Sequence, residues 1–564
     1  MAACDWVLFV GEFGWYEENR RMNSTDTAKS PRRTWSQRLR QVVLGFCILS
    51  VVLASIAWFA LYSMDHGVAN SFAGILTGLA LMWGWIWIGT MPRMPMLMRG
   101  VFFVAPCLLG YIALSYFEFR GFSGEMMPQF RRRGVTAAAR QMTKDDARSI
   151  TVQGDTAVSS PQFWGPSRNG HHDDAGLASD WEQNPPKVLW KVPIGDGWAG
   201  MAVAQGRIVT LEQHELEEWV TCHDLGNGDL LWTHRYPSRH YEVLGGLGPR
   251  STPTIVDDRV YTLGATGNLL CLNLMSGDVL WKVDLLKLGQ ASLAEFETIV
   301  KWGRAGSPLV IGSQLIVPFG ALQGKHKSLV AFDRMEGTLL WTTGGDAISY
   351  ASPIVGKYFG EDHIVSVNEK TVSLHRVSNG EERWSYSWPG LSNSSATCTQ
   401  PIVVAGDRLI LTKGYGGGSE ALQLAQQADG TVTNELLWKK TNHLRTKFSN
   451  PILVDEHVFG ICEGTMECVR ISDGSREWKG GRFGHGQMLR LGKHLVVSCE
   501  DGDLAVVEAD AKAFRLVARL PVLDGITWNM PTAAFPYFLM RNGSEMACLK
   551  LPMKDAGHVA AEQP

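Results

Sequence analysis

The chain carries little excess charge of either sign and has no closely paired cysteines. Among its 564 residues, 53 Lys and Arg nearly offset 56 Asp and Glu, which leaves a formal net charge of −3. This balance excludes a strongly basic nucleic-acid-binding protein, and the hydrophobic content of 45% excludes a disordered chain. The ten cysteines form no Cys-x-x-Cys motif and no adjacent pair, which removes most metal and redox motifs.

Motifs that would bind phosphate or zinc are incomplete. The glycine-rich run GYGGGSE at 414–420 is not followed by a helix or by Lys-Ser/Thr, which a phosphate-binding loop requires. HELEE at 214–218 is not HExxH, and HHDD at 171–174 lies in a polar segment. We interpret all three as loops, and we predict no catalytic residue and no metal site.

A repeated tryptophan dominates the last four hundred residues. Five times it stands four places after a glycine, and Trp438 ends a looser version, ELLW. Each segment has an apolar strand, a polar turn with the glycine, and a strand with the tryptophan. All-strand units that recur every 40–50 residues or so predict a β-propeller of four-stranded blades. The pairs are Gly228/Trp232, Gly277/Trp281, Gly337/Trp341, Gly380/Trp384 and Gly474/Trp478.

The repeat predicts eight blades. Most begin with a small or polar residue before a proline, which suits the first residue of a strand. The last blade ends at MACLKLPM without an outer strand, whereas VLWKVPI at 188–194 has an outer-strand pattern and no earlier partner. We predict that this N-terminal strand completes the last blade and closes the ring. The predicted fold class is all-β, an eight-bladed propeller over 188–553 behind an α-helical membrane anchor. Blades start near residues 198, 250, 305, 350, 398, 448, 485 and 527.

The repeated tryptophans are predicted to be structural. A large ring on an outer strand can wedge between blades and bury on the order of 150–250 Å². This set is Trp190, Trp232, Trp281, Trp341, Trp384, Trp438 and Trp478. Four cysteines that share one repeat position are expected to be small buried apolar residues. These are Cys222, Cys271, Cys468 and Cys548.

Three apolar stretches precede the repeats. Residues 41–64 and 67–92 are long enough to cross a bilayer core of about 30 Å, and 100–117 form a shorter third run. Seven Lys and Arg residues precede the first stretch, and the loop at 65–72 has none. With three spans, this asymmetry predicts a cytoplasmic N-terminus and a propeller on the periplasmic side of an inner membrane. If the third run only skims the membrane, as the arginines at 131–133 would favour, the propeller is cytoplasmic instead.

Composition assigns the remaining segments. Residues 1–40 are predicted to be a cytoplasmic leader, with Met22 as an alternative start. Residues 118–160 are predicted to be a polar juxtamembrane linker with at most one short helix. Residues 161–187 form a lead-in to the propeller, and 554–564 a flexible tail.

Two motifs resemble a known family. The pattern A/C-x-D/N-x-x-x-G-x-x-x-W, as in AFDRMEGTLLW at 331–341, resembles the pyrroloquinoline quinone (PQQ) repeat. QFWGPSRNG at 162–170, followed by WEQNPPKVLWK at 181–191, resembles the lead-in of many bacterial PQQ-like propellers. Residues 162–553 are therefore similar to the PQQ-like β-propeller family, which includes quinoprotein alcohol dehydrogenases and the assembly lipoprotein BamB.

The resemblance implies either a scaffold or an enzyme. Quinoprotein dehydrogenases hold PQQ over the channel with Ca²⁺, usually beside a vicinal disulfide and an Asp base. This chain has no adjacent cysteines, and its blade starts carry mostly Ser, Thr, Gly and Ala. We therefore predict no cofactor and favour a non-catalytic module that binds a protein or glycan partner. The alternatives are a membrane-bound quinoprotein dehydrogenase that oxidises an alcohol or sugar with PQQ, and a ligand sensor.

We expect a ligand or partner to contact the channel mouth, where loops from all eight blades converge. Cations there could bind a carboxylate or another anion, and aromatic residues could offer stacking surfaces. The alternative is that the cations are solvated rim residues and the aromatic rings pack between blades. The predicted binding set is Trp198, Arg250, Arg304, Tyr350, Gln400, Lys447, Asn450, His485 and Trp528.

Overall fold

The computed structural model describes most of the chain from Trp35 onward. Most of the predicted leader, including Met22, and most of the tail lie outside the described residues. So do the two aspartates of the HHDD segment and the arginine at position 133. The described residues are 35–62, 65–92, 94–132, 159–172, 177–178, 180–181, 183–320, 327–389 and 396–554.

Three apolar helices form the N-terminal part, and each is long and apolar enough to cross a membrane. They are α1 (Trp35–Tyr62), α2 (His66–Gly89) and α3 (Met96–Tyr116). Helix α2 is capped by Asp65, whose carboxylate accepts the amide of Val68 at 2.9 Å. Helices α1 and α2 pack closely, with the rings of Phe46 and Trp83 stacked 5.5 Å apart. These helices fit the predicted membrane anchor.

A β-hairpin follows α3 directly, where the sequence predicted a polar linker with at most one short helix. Strand β1 (Phe117–Phe122) pairs antiparallel with β2 (Pro128–Arg132). Phe119 lies 5.2 Å from Phe122 and 5.6 Å from Phe130, ring centre to ring centre. Such aromatic pairs stabilise a two-stranded ribbon, so this part of the linker prediction is corrected.

Eight blades form the propeller, which confirms the predicted fold class. The strands ahead of the first blade are β3 (His171–His172) and β4 (Lys187–Pro193). Blade 1 contains β5 (Ala202–Ala204), β6 (Arg207–His214), β7 (Glu217–Asp224) and β8 (Leu230–Pro237). The loop after it carries the short strands β9 (Tyr241–Glu242) and β10 (Gly246–Leu247).

The next three blades follow the same up-and-down order. Blade 2 contains β11 (Thr254–Val256), β12 (Arg259–Leu263), β13 (Asn268–Asn273) and β14 (Val279–Asp284), followed by α4 (Leu285–Leu288) and α5 (Leu293–Ile299). Blade 3 contains β15 (Leu309–Ile311), β16 (Gln314–Pro318), β17 (Leu329–Asp333) and β18 (Leu339–Thr343). Blade 4 contains β19 (Ile354–Tyr358), β20 (Glu361–Val367), β21 (Thr371–Arg376) and β22 (Glu382–Ser387).

The last four blades complete the ring. Blade 5 contains β23 (Ile402–Val404), β24 (Arg408–Lys413), β25 (Gly418–Gln426) and β26 (Val432–Lys440). Blade 6 contains β27 (Ile452–Val454), β28 (His457–Cys462), β29 (Thr465–Arg470) and β30 (Arg476–Gly480). Blade 7 contains β31 (Gln487–Leu491), β32 (His494–Ser498), β33 (Asp503–Glu508) and β34 (Leu516–Pro521). Blade 8 contains β35 (Thr532–Ala534), β36 (Tyr537–Arg541) and β37 (Glu545–Lys550), with β4 as its outer strand.

The ring closes through β4, in the way that the strand count predicts. Strand β4 pairs antiparallel with β37, and Trp190 lies opposite Cys548. The two ends of the propeller chain therefore share one sheet, and no blade is left without an outer strand.

The repeated tryptophans lie between neighbouring blades. Trp281 of blade 2 packs against Gly337 of blade 3 and donates from Nε1 to the carbonyl of Arg334 at 3.1 Å. Gly337 has a φ of +71°, and a Cβ there would lie 2.7 Å from the Trp281 ring. The motif thus needs glycine for both the backbone and the close approach. The same contact joins Trp190 to Gly228, Trp232 to Gly277, Trp341 to Gly380 and Trp438 to Gly474.

The lead-in segment lies along the innermost strands. The carbonyl of Pro161 accepts the amide of Ile255 in blade 2 at 2.7 Å, and β3 adds parallel to β31 of blade 7. Arg168 is 3% exposed and donates to the carbonyls of Ser307 and Pro308 in blade 3, at 3.0 and 2.7 Å. Burial lowers the pKa of this guanidinium to about 9. The GPSR part of the motif therefore ties blades on different sides of the channel together.

Candidate functional site

Several polar residues of the predicted binding set join neighbouring blades. The amide of Gln400 donates to Oδ1 of Asn450 at 2.9 Å, and the Gln400 side-chain amide pairs with the main chain of Ser352. Both residues are at most 3% exposed. Similar bonds link Thr252 to Ser307 and Ser307 to Ser352, each from an amide to a hydroxyl at 2.9 Å. Gln400 and Asn450 are therefore buried and bonded between neighbouring blades, and their role as ligand contacts stays a prediction.

The two arginines of the set are also held by the wall. Arg304 is 2% exposed, donates to the carbonyls of Pro318 and Phe319 at 3.1 and 2.5 Å, and lies over the ring of Phe296. Burial lowers its pKa to about 9. Arg250 donates to carbonyls of its own loop at 2.7 and 2.8 Å. Their donors satisfy main-chain oxygens, so neither presents the anion site that the sequence suggested.

Tyr350 lies in the same wall. It is 7% exposed, and its hydroxyl accepts the amide of Trp302 at 3.4 Å. Burial raises its pKa above the usual range. This ring packs inside the protein and offers little stacking surface to a ligand.

Lys447 joins the propeller to the membrane anchor. Its Nζ lies 3.2 Å from Oδ1 of Asp65, in the turn between α1 and α2, and 3.5 Å from a carboxylate oxygen of Glu463 in blade 6. It also donates to the carbonyl of Gly124 in the hairpin turn at 3.3 Å. The Lys447 side chain is 3% exposed, Asp65 6% and Glu463 0%. We call this group of Asp65, Gly124, Lys447 and Glu463 the anchor joint.

The hairpin turn covers the other residues of the channel mouth. The carboxylate of Glu500 accepts the amide of Gly124 at 2.5 Å and Nε1 of Trp528 at 2.9 Å through one oxygen. Its second oxygen accepts the amide of His485 at 3.1 Å. Gly124 sits directly against the fully buried His485 ring, where any Cβ would clash. The hairpin turn therefore packs against the mouth at blades 6 and 7.

A second layer of contacts comes from the start of α2. Asn70 donates to the carbonyl of Glu125 at 2.8 Å, and Nδ1 of His66 lies 3.6 Å from the Glu125 carboxylate. The hydrogen bond from His66 lowers the pKa of Glu125. Turn, hairpin and propeller are thereby held in one polar network.

Burial sets the charges within the joint. It raises the pKa of Glu463, which Lys447 partly opposes, and it holds the pKa of His485 well below its usual value. His485 is therefore neutral at pH 7.

Two glutamates near the mouth are engaged by the chain's own groups. Glu500 is bonded to two amides and an indole. Glu463 faces Lys447 instead of an open site. Within the described residues, no group of three or more His, Cys, Asp or Glu is placed to hold a metal ion.

Sequence reasoning missed a cavity beside the mouth. Its volume is about 850 Å³, and it lies between the hairpin and loops of blades 7, 8 and 1. Trp198 lines it, with Phe130 of β2 and the carboxylates of Asp196, Asp501 and Asp524. Of the predicted set, Trp198 is the member that lines this space. The hairpin forms one wall, so the cavity could not be found without knowing that the hairpin docks.

On several outer strands, the two positions before the repeated tryptophan carry exposed apolar residues. Leu230–Leu231, Val279–Leu280 and Leu339–Leu340 lie on the outer strands of blades 1, 2 and 3 and are 37–53% exposed. We call these six residues the outer belt. The equivalent positions of blades 4 and 6 carry Glu382–Arg383 and Arg476–Glu477. The apolar pattern is thus interrupted at blades 4 and 6, while blade 5 carries it again in Leu436–Leu437, which are 47% and 41% exposed.

The blades, the inter-blade tryptophans and the glycine turns define an eight-bladed β-propeller. Residues 216–480 match the family model described as outer membrane protein assembly factor BamB, which confirms the resemblance read from the repeat. No curated protein matches the chain in sequence.

Two solved structures illustrate what the chain is similar to. BamB from Moraxella catarrhalis is 11% identical, with a TM-score of 0.46, over 65% of this chain and 100% of that one. Quinohemoprotein alcohol dehydrogenase from Comamonas testosteroni is 11% identical, with a TM-score of 0.48, over 73% of this chain and 83% of that one. Likenesses this distant carry no statement about activity.

Proposed function

We propose that this protein is a membrane-anchored, non-catalytic module that binds a protein partner beside the membrane. The observation that carries the proposal is the anchor joint, which packs the chain's own hairpin and membrane turn against the mouth at blades 6 and 7. A quinoprotein dehydrogenase needs that mouth for its cofactor and substrate. Here the polar groups of the mouth are used to hold the propeller to its anchor.

The outer belt is the surface we assign to the partner. Leucine and valine pairs on neighbouring outer strands offer an apolar patch next to unpaired strand edges. Such a surface suits a protein that packs apolar side chains or adds a strand. A glycan would call for polar and aromatic groups, which the belt lacks. The description of the matching family as an assembly factor agrees with a protein partner.

We further propose that the propeller stands on the periplasmic side of an inner membrane. The contact between Asp65 and Lys447 supports three spans, since it requires the α1–α2 turn and the propeller to share one side. Two spans followed by a surface helix would put them on opposite sides. The basic residues ahead of α1 then orient the N-terminus toward the cytoplasm.

Site-specific photocrosslinking in the native membrane tests the partner surface. A photoreactive residue at Leu231, Leu280 or Leu340 is expected to capture one shared protein, whereas the same residue at Arg383 or Glu477 captures none. Leu280→Asp combined with Leu340→Asp should abolish that capture at Leu231, because charge on the belt opposes apolar packing.

The alternative function, a PQQ-dependent dehydrogenase, is tested by a separate measurement. The purified full chain is incubated with PQQ and Ca²⁺, desalted, and assayed for bound cofactor and for dye-linked oxidation of alcohols and sugars. Stoichiometric retention with turnover would overturn the proposal, as would crosslinking that does not distinguish the belt from blades 4 and 6.

A further inference from the structure

The cavity beside the channel mouth is built from two separate parts of the chain. Gln129 and Phe130 of the hairpin form one wall, and the loops that carry Asp196, Asp501 and Asp524 form the other. Its volume of about 850 Å³ lies within the range of roughly 300–1,000 Å³ that is common for small-ligand sites. It is therefore large enough for a small molecule or a few residues of a peptide.

The charges that line the cavity favour a cation. Four carboxylates line it, against two guanidiniums. One of these, Arg519, is paired with Asp501 and Asp503 at 2.6 Å each, and Glu500 is held by two amides and an indole, so Arg519, Asp501 and Glu500 all have partners within the protein. The Asp524 carboxylate is exposed and has no hydrogen bond or ion pair within the described residues, while its main-chain amide donates to Glu545.

Aromatic faces complete the lining. The ring of Trp198 is fixed by a hydrogen bond from Nε1 to the carbonyl of Gly245 at 2.6 Å and by Trp528, whose ring lies 4.8 Å away. Phe130 is 56% exposed on the hairpin side. Aromatic faces attract alkylammonium and guanidinium groups, and nearby carboxylates add to this attraction.

We propose that this cavity binds a cationic group, an alkylammonium or a guanidinium. The group comes either from a free polyamine or from a lysine or arginine side chain of a peptide. This site lies apart from the outer belt and does not depend on the proposed protein partner. Because both walls contribute, a bound ligand would also strengthen the attachment of the hairpin to the propeller.

Isothermal titration of the full chain in phosphatidylcholine nanodiscs tests the site. The probes are spermidine and the blocked tripeptide Ala-Arg-Ala, with Ala-Gln-Ala and chitotriose as neutral controls. We expect saturable binding of one ligand per chain for at least one cationic probe, weakened by added salt. Preference for spermidine or for the peptide distinguishes the two sources.

Three variants separate the site from the rest of the surface. Asp524→Asn is expected to weaken binding by roughly two- to fivefold, as the loss of one exposed charge contact implies. Gly543→Leu fills the cavity, because a Cβ at Gly543 points toward Asp196, with Oδ1 at an ordinary contact distance of 3.6 Å. Glu336→Gln removes an exposed carboxylate on blade 3 and should leave binding unchanged.

Several results would overturn the proposal. These are no saturable binding of either cation by the wild type, equal binding of a neutral probe, or no weakening by Asp524→Asn. Hydrogen exchange of the hairpin amides supplies a second measurement, since a bound cation should slow it. If Gly543→Leu fails to fold, Asp524→Asn still tests the proposal. The Asp524 side chain is exposed and bonds to no other group within the described residues, so this variant should fold.

Discussion

At the residue scale, the repeat works by pairing five of its seven tryptophans with the glycine of the next blade. The ring fills the gap between sheets, and its Nε1 donates across the same gap, for example from Trp438 to the carbonyl of Ile471 at 2.8 Å. Between the sheets lie apolar clusters, such as the one that joins Val209 and Val220 of blade 1 to Val260 and Leu270 of blade 2. The sequence period thus encodes contacts between blades as well as strands within them.

Gly337→Ala tests this pairing. The new Cβ would clash with the Trp281 ring and would also force alanine to a φ of +71°. We expect a loss of about 2–4 kcal/mol in unfolding free energy, from overpacking and the left-handed backbone together. The measurement is the shift in the unfolding midpoint of the purified full chain.

Gly360→Ala is the matched control, because Gly360 also has a positive φ, +82°, but nothing lies within 4 Å of its added Cβ. It should cost only the backbone term, about 1–2 kcal/mol. Equal losses for the two variants would show that contact with the tryptophan ring does not matter.

The residues of the channel mouth show which features the sequence could predict and which it could not. The positions of Arg304, Gln400 and Asn450 follow from the blade pattern, so their place near the channel was predictable. Their partners were not, because a blade start bonds to another about 45–55 residues away, as Gln400 does to Asn450. Whether a polar side chain faces solvent or a neighbouring blade depends on that packing.

At the scale of elements, the hairpin β1–β2 is the part that sequence reasoning missed. Its strands are short and mix aromatic with charged residues, and the arginines beside it suggested a linker. An isolated two-stranded ribbon is marginally stable in water. Here it is held by the propeller, through Gly124 on Glu500 and Lys447, and this support comes from residues more than 300 positions away.

Lys447→Met is expected to release the hairpin and the α1–α2 turn from the propeller. It removes the cation that faces Asp65 and Glu463, and breaking a buried ion pair costs about 3–5 kcal/mol. Amide exchange at residues 123–127 should rise by roughly a hundredfold to a few thousandfold, since that free energy is lost from the docked state. The measurement is hydrogen–deuterium exchange of the full chain in detergent or nanodiscs.

Lys357→Met is the control for Lys447→Met, because Lys357 is exposed on blade 4. It should leave exchange in the hairpin unchanged. Rapid exchange throughout the propeller of Lys447→Met would mean that the joint stabilises the whole fold. Unchanged exchange at 123–127 would contradict docking through the joint.

At the scale of the whole molecule, three segments outside the regular blades hold the propeller together. Strand β4 completes blade 8 and so closes the ring. The lead-in at 159–172 bonds to the innermost strands of separate blades, and the hairpin packs against the mouth. The first closure could be predicted by counting strands, because one blade lacked a strand and one strand lacked a blade. The contacts of the lead-in and of the hairpin could not be predicted, because these segments lie outside the sequence repeat and their packing depends on residues far away in the chain.

This closure leads to a prediction about topology. In the proposed topology Asp65 and the propeller share one side, which requires an odd number of spans between Trp35 and the blades. In right-side-out membrane vesicles of a Cys4→Ser, Cys107→Ser background, an impermeant maleimide should label Leu216→Cys, a residue that is 71% exposed. It should label Trp35→Cys, 79% exposed, only after the membrane is permeabilised. If α3 does not cross, both positions lie inside, both stay unlabelled until permeabilisation, and the contact between Asp65 and Lys447 cannot form in the membrane.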